Sequence, residues 1–184
     1  MVLPGHLAGG YLAARGLIAV FHPGFSSTEI DALLIIGTLA GELPDIDLAK
    51  LYFDHKFAKP GRTNDHRVYI THAPLFWLLI SAIVAAIGWA CGSLFIEWIG
   101  LFILSGSWIH LLIDSLEYGV MWLWPFSKKL FALKKEVPVE DIAARPGSPM
   151  YHALYIAKVY MKTVSFWAEI VITATALYVL ISVH

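Results

Sequence analysis

The stretch "SLFIEWIGLFILSGSWIHLLIDSL" (residues 93–116) decides the fold class. Its ionisable side chains are Glu97, His110 and Asp114, set in an otherwise oily run. As a helix it is long enough to cross a hydrocarbon core, which takes ~20 residues. It lacks the strict alternation of a half-buried strand. Four more apolar stretches accompany it, at about 7–21, 30–44, 68–90 and 164–183. Such long, unalternating runs are too few for a barrel, so helices are expected. The expected architecture is an all-α, polytopic transmembrane helix bundle of about five membrane helices, the first two short. It forms one domain over residues 1–184.

Composition points the same way. Of the 184 residues, 58% are hydrophobic and 15% charged, and the mean hydropathy is +0.68. Soluble domains carry about a quarter charged residues, so this is an integral membrane composition. The net charge of -1 identifies no partner by itself. Membrane lipid is the expected partner, and nucleic acid is not expected as a primary one. A lone Cys91 excludes an intramolecular disulfide and a cysteine-rich zinc site. The start, "MVLPGHLAGGYLAARG", lacks a basic n-region and carries Arg15 within its apolar run, so no cleavable signal peptide is expected.

Every Lys and Arg except Arg15 falls in two segments, "GELPDIDLAKLYFDHKFAKPGRTNDHR" and residues 117–163. The positive-inside rule makes both cytoplasmic. Five crossings of the cytoplasmic (inner) membrane then leave the N-terminus inside and His184 outside. Within 117–163, "YGVMWLWPFSKKLFALKK" interleaves Trp122, Trp124, Phe126 and Phe131 with lysines. That mixture suits an interfacial segment on the cytoplasmic leaflet.

The same topology gathers polar residues. His6 precedes the first apolar stretch, Glu42, Asp45 and Asp47 end the second, and His66 and His72 open the third. His110 and Asp114 sit in the last turns of the fourth. All of them reach the cytoplasmic face, although histidines and carboxylates played no part in assigning orientation. His110 and Asp114, four apart, share a helical face that Ser107 and Glu117 extend. Thr38, Glu42 and Asp45 make a second polar stripe at helical spacing, and polar stripes at membrane depth face a bundle interior or wet cavity. Gly5, Gly9 and Ala13 form a small-residue face for close helix approach.

Imidazoles with carboxylates suit Zn²⁺, Mn²⁺ or Fe²⁺. His6, Asp45, Asp47, His66, His72, His110 and Asp114 are too many ligands for one tetrahedral ion and enough for two, zinc or manganese being favoured. Asp114 could bridge two ions ~3.5–4 Å apart, as in two-metal phosphoester hydrolases. Asp47 or Glu42 would move protons. Arg67 would bind phosphate or serve as a positive-inside anchor.

"HLAGG", "GELPDID", "HR" followed by "THA", "HxxxD" and "YGVMWLWPFS", in this order over residues 5–127, resemble the YdjM-like membrane-bound metal-dependent hydrolases. Through that family the pattern is similar to zinc-dependent phospholipase C and the zinc nucleases that cut single strands. The resemblance implies that His6 matches an early histidine ligand, Asp45 or Asp47 the first aspartate, and His66 or His72 the next histidine. His110 and Asp114 match the helical pair whose aspartate bridges metals. The chain departs from the phospholipase pattern where a further His and a later HxxxE would stand, since His152 is followed by Ile156. It also lacks the N-terminal tryptophan ligand, so two metals at most are implied.

The reading is an integral membrane metal-dependent hydrolase. Its implied substrate is a phosphoester, lipid or lipid-linked, at the cytoplasmic face. The rivals are a metal-ion transporter, kept open by Glu97, a metal-binding membrane protein without hydrolase activity, and a non-catalytic scaffold. His22, His55, His152 and His184 are assigned structural or interfacial roles. Asp45 and Asp47 could also merely cap a helix beside Pro44.

Overall fold

The structure, a computed structural model, describes residues 3–48, 66–134 and 149–182. These residues form helices α1 (Leu3–Phe21), α2 (Ser27–Ala40), α3 (Pro74–Ala90), α4 (Leu94–Asp114), α5 (Pro149–Lys158) and α6 (Val164–Ser182). Short 3-10 turns occupy Leu43–Ile46, His66–Val68, Ile70–His72 and Tyr160–Lys162. Among the described residues there is no strand, and an isolated antiparallel bridge pairs Val120 with Phe131.

Local chemistry sets the helix ends. His22, with a positive φ of 47°, stops α1, a backbone region that histidine tolerates better than branched residues. Ser26 and Glu29 then form a reciprocal capping box that starts α2. Gly92, with φ of 67°, turns the chain between α3 and α4, and the Ser93 hydroxyl accepts the Ile96 amide. Cys91 is exposed at this turn.

Several expected boundaries move. α1 begins at Leu3, so His6 lies inside its first turn rather than ahead of it. α2 stops at Ala40, and Pro44 opens a 3-10 turn beyond it. Thr38, Glu42 and Asp45 therefore do not make one continuous helical stripe. The third stretch becomes helical only at Pro74, because proline pushes Ala73 into an extended conformation and suits the first helical position. His72 consequently sits in a turn, where its direction is independent of α3. Helix α5 is an element the apolar pattern did not disclose. His55, His184 and the side chains of His66 and His152 lie outside the described residues.

Helix α4 is the hub. α1, α2 and α3 all pack against it, while α6 packs on α1. Ala14, Leu33 and Phe102 form one buried cluster among α1, α2 and α4, and Trp77, Leu111 and Val120 another between α3, α4 and the following loop. Glycine permits these approaches. A Cβ on Gly10 would lie 2.5 Å from the Gly37 carbonyl oxygen, as would one on Gly106. The close-approach face thus runs through Gly10, Gly37 and Gly106 rather than through Gly5, Gly9 and Ala13 alone.

The described helices expose broad apolar faces, including Ile83 (57%), Val171 (64%) and Ile181 (77%). Contiguous exposure of this kind marks an interaction with lipid or protein. By length and hydropathy, α4 and α6 qualify as membrane-crossing helices, and α3 is apolar but shorter at 17 residues. α2, with 14 residues, spans only ~21 Å at 1.5 Å per residue. Each of the five apolar stretches contains an α-helix, but among the described residues two, not five, are long and apolar enough to cross a membrane.

Gly106→Val should destabilise the fold by at least ~1–3 kcal/mol, because the added atoms meet backbone that cannot retreat. Gly16→Ala, which meets nothing within 4 Å, should leave stability unchanged or slightly raised. Thermal unfolding in detergent distinguishes the pair, and equal stability would contradict the three-helix contact.

Candidate metal centre

Four separate chain segments deliver the polar cluster. His6 comes from the first turn of α1, Asp45 and Asp47 from the turn after α2, His72 from the 3-10 turn before α3, and His110 and Asp114 from the end of α4. His6, Asp47, His72, His110 and Asp114 are buried, and Asp45 is nearly so. Burying this many ionisable groups in apolar surroundings is costly unless they are paired or coordinate a cation.

Their donor atoms face one another. His72 Nε2 lies 3.4 Å from Asp45 Oδ1 and 3.9 Å from Asp114 Oδ2. His110 Nε2 lies 3.5 Å from Asp45 Oδ1 and 4.0 Å from Asp114 Oδ2. The other Asp114 oxygen, Oδ1, is 3.5 Å from His6 Nε2. Bonds of about 2.0–2.2 Å would set neighbouring ligands of a tetrahedral ion about 3.3–3.6 Å apart, so the cluster has nearly the right size. Two groups of ligand atoms suit an ion: His6, His110 and Asp114, and Asp45, His72 and His110. The shared His110 has one Nε2 lone pair, so it can serve only one ion. Asp114 differs, because its two oxygens face different partners.

A surrounding layer fixes the imidazoles. His110 Nδ1 is 2.7 Å from the Gly41 carbonyl oxygen, which can only accept, so Nδ1 carries the proton. The Nε2 lone pair then points into the cluster, where that buried atom has no hydrogen-bond partner. His72 Nδ1 is similarly 2.8 Å from Asp47 Oδ2, which also accepts the Thr71 hydroxyl. This is the outer-layer arrangement of metal-binding histidines. Asp47 thus stands behind His72 and belongs to neither donor group. Burial of an ionic cluster in a tightly packed bundle also stacks His6 on His110, ring centroids 3.7 Å apart.

Arg67 closes the rim. Its Nε donates to Asp114 Oδ2 at 2.8 Å, and its guanidinium lies 4.2 Å from the Tyr118 ring centroid. Glu42 is half-buried near the cluster. Burial, then the Asp45 charge, raises its pKa to about 7. Burial disfavours the His72 cation, yet hydrogen bonds and charge from Asp45 and Asp47 outweigh it and raise its pKa to about 9.

Two buried carboxylates outside the cluster hold its supports. Glu117 accepts the Val164 and Ser165 amides at 3.0 and 2.9 Å, capping α6 from far away in sequence. Burial alone would raise its pKa, but those bonds and Lys134 bring it below the ordinary value. Glu169 in α6 accepts the Gly5 amide at 3.1 Å and the Tyr160 hydroxyl, tying α6 to the turn that carries His6. Glu169 lies outside the expected cluster, and its one sequence signal is a carboxylate inside the apolar run "SFWAEIVIT". Gly41, Thr71 and Tyr118 had no such signal, since they act through a carbonyl, a short hydroxyl and a ring face.

The family model described as YdjM inner membrane protein matches residues 1–184. The chain belongs to the YdjM inner membrane protein family. No curated protein and no solved structure matches it. Family membership and the two long apolar helices support a membrane location. In this YdjM family member the polar cluster sits where α1 and α4 meet the turns that precede α3.

Binding of a divalent cation requires His72 neutral, so zinc addition at pH 8 should expel a proton from it. Below pH 7 Glu42 is protonated as well, and a nearby cation favours its carboxylate. Proton release should therefore grow from pH 8 to pH 6, measured by titration calorimetry in buffers of different ionisation heat. Glu42→Gln should remove the increment, and pH-independent release would contradict these assignments.

Proposed function

We propose that this protein is a multi-pass membrane hydrolase that uses divalent metal ions to cleave a phosphoester, lipid or lipid-linked, at the cytoplasmic face. One observation carries the reading: three imidazole Nε2 atoms and two carboxylates converge in a buried cluster, with the Nδ1 atoms of His110 and His72 hydrogen-bonded outward so that their Nε2 atoms face it. One ion would be held by Asp45, His72, His110 and Asp114, and a second by Asp114 with His6. His66 is the remaining candidate for the second ion. Bound there, zinc or manganese would supply Lewis acidity to the phosphoryl group and to the attacking water.

The chain's own residues supply the rest. Asp47 and Gly41 keep the imidazoles aimed inward. Arg67 sits at the rim with a guanidinium that can form two parallel bonds to a phosphoryl oxygen pair. Glu42, titrating near neutrality, suits acceptance of a proton from water and its return to the leaving alkoxide. Asp47 is the lesser candidate for that task, because one of its oxygens already serves both His72 and Thr71. A lipid phosphate would meet the cluster at headgroup depth without leaving the bilayer.

Purified protein should carry close to two divalent ions per chain by elemental analysis. His6→Ala should lose the second ion alone, whereas Asp114→Asn should lose at least one ion and nearly all phosphoesterase activity. Asp47→Ala should keep the stoichiometry but weaken affinity by about 10–100-fold, as outer-layer changes do. His152→Ala controls for adventitious binding and should change neither. Full occupancy in His110→Ala would sink the reading.

Orientation is tested separately. The exposed Cys91 should react with a membrane-impermeant thiol reagent from the periplasmic side. Labelling that needs a permeabilised inner membrane would put the metal centre on the other face.

A further inference from the structure

After Asp114 the chain turns back over the end of α4 and builds a slot of about 860 Å³ outside the metal centre. It is lined by the apolar Trp122, Leu123, Leu130 and Phe131 together with Ser127 and Lys129. This volume lies within the range of small-molecule sites, about 300–1,000 Å³. The walls are held in place. The Trp122 indole donates to the Ser115 hydroxyl at 2.7 Å, and the ring packs edge-on against Trp108. Phe131 and Val120 exchange both backbone hydrogen bonds at 3.0 Å, and the Met121 amide reaches the His72 carbonyl.

The slot's surroundings define its occupant. Leu123 and Phe126 are exposed by 68% and 94%, which is costly in water and favourable in the acyl region of a leaflet. Lys128 and Lys129 are exposed beside them. An apolar slot under a lysine rim is complementary to an amphiphile with an anionic head.

We propose that the slot formed by residues 122–131 binds an anionic glycerophospholipid of the cytoplasmic leaflet, its acyl chain against Trp122, Leu130 and Phe131 and its phosphate on Lys129. This site is distinct from the metal centre and does not depend on that centre being catalytic. It seats the loop that hangs from His72 and Asp114 at headgroup depth.

The test uses the full chain in zwitterionic mixed micelles with a trace of phosphatidylglycerol bearing a photoreactive diazirine in its acyl chain. Adducts mapped by mass spectrometry should concentrate in the peptide covering residues 122–131. Unlabelled phosphatidylglycerol should compete at roughly tenfold lower concentration than phosphatidylcholine. A lysine near an anionic surface is worth roughly fivefold in binding, so Lys128→Gln with Lys129→Gln should cut labelling there by roughly 10–30-fold. Labelling on the lipid face of α6 should stay unchanged and reports that the variant is folded. Equal competition by the two lipids, or loop labelling no greater than that of α6, overturns the proposal. If the double variant does not fold, wild-type competition alone decides.

Discussion

Gly41 is the point on which the rest of the structure hangs. A Cβ there would lie 2.3 Å from the His6 carbonyl oxygen, while its own carbonyl accepts the His110 Nδ1–H at 2.7 Å. One residue without a side chain therefore brings the start of α1, the end of α2 and the end of α4 together. Its backbone is ordinary right-handed helical, so the requirement is for space, not for unusual torsions. Gly10, Gly37 and Gly106 extend the contact along the three helices. Close packing among helices in lipid depends on dispersion and small residues because lipid tails are as apolar as side chains.

That contact creates an electrostatic problem which the outer residues contain. Carboxylates and imidazoles packed at such depth repel one another or lose hydration unless each has a partner. Asp47 and the Gly41 carbonyl take the outward imidazole protons, and Arg67 takes one Asp114 oxygen. Inside this layer the Nε2 atoms of His6, His72 and His110 face the Asp45 and Asp114 carboxylates. The buried Glu169 and Glu117 perform the reverse service. Each satisfies backbone amides at a helix start, fixing α6 against α1 and against the end of α4. A polar residue in an apolar helix can thus be architectural, and its partners distinguish the two roles.

The loop after α4 leads from the polar cluster to an exposed apolar tip. It is fastened at its root by the His72 carbonyl and the Ser115 hydroxyl, while its tip presents aromatic and aliphatic side chains to the outside. Position at headgroup depth would then be transmitted to His72 and Asp114 by backbone hydrogen bonds rather than by a flexible tether.

Helix content, membrane affiliation and the inventory of polar candidates were legible in the order of residues alone. They depend on local and one-dimensional properties: run length, hydropathy, and the four-residue spacing that puts His110 and Asp114 on one face. Proline and glycine positions are equally visible, but where they end α2 and start α3 depends on packing, and the break after Ala40 interrupts the polar stripe through Thr38, Glu42 and Asp45. Tertiary structure alone decided that Asp47 stands behind His72, that Asp114 turns its two oxygens to different partners, and that Glu117 and Glu169 serve helix starts. Those roles depend on distances between segments remote in sequence and on backbone carbonyls that every residue possesses. A hydrogen bond to a carbonyl leaves no trace in side-chain identity, so only the packed helices could reveal it.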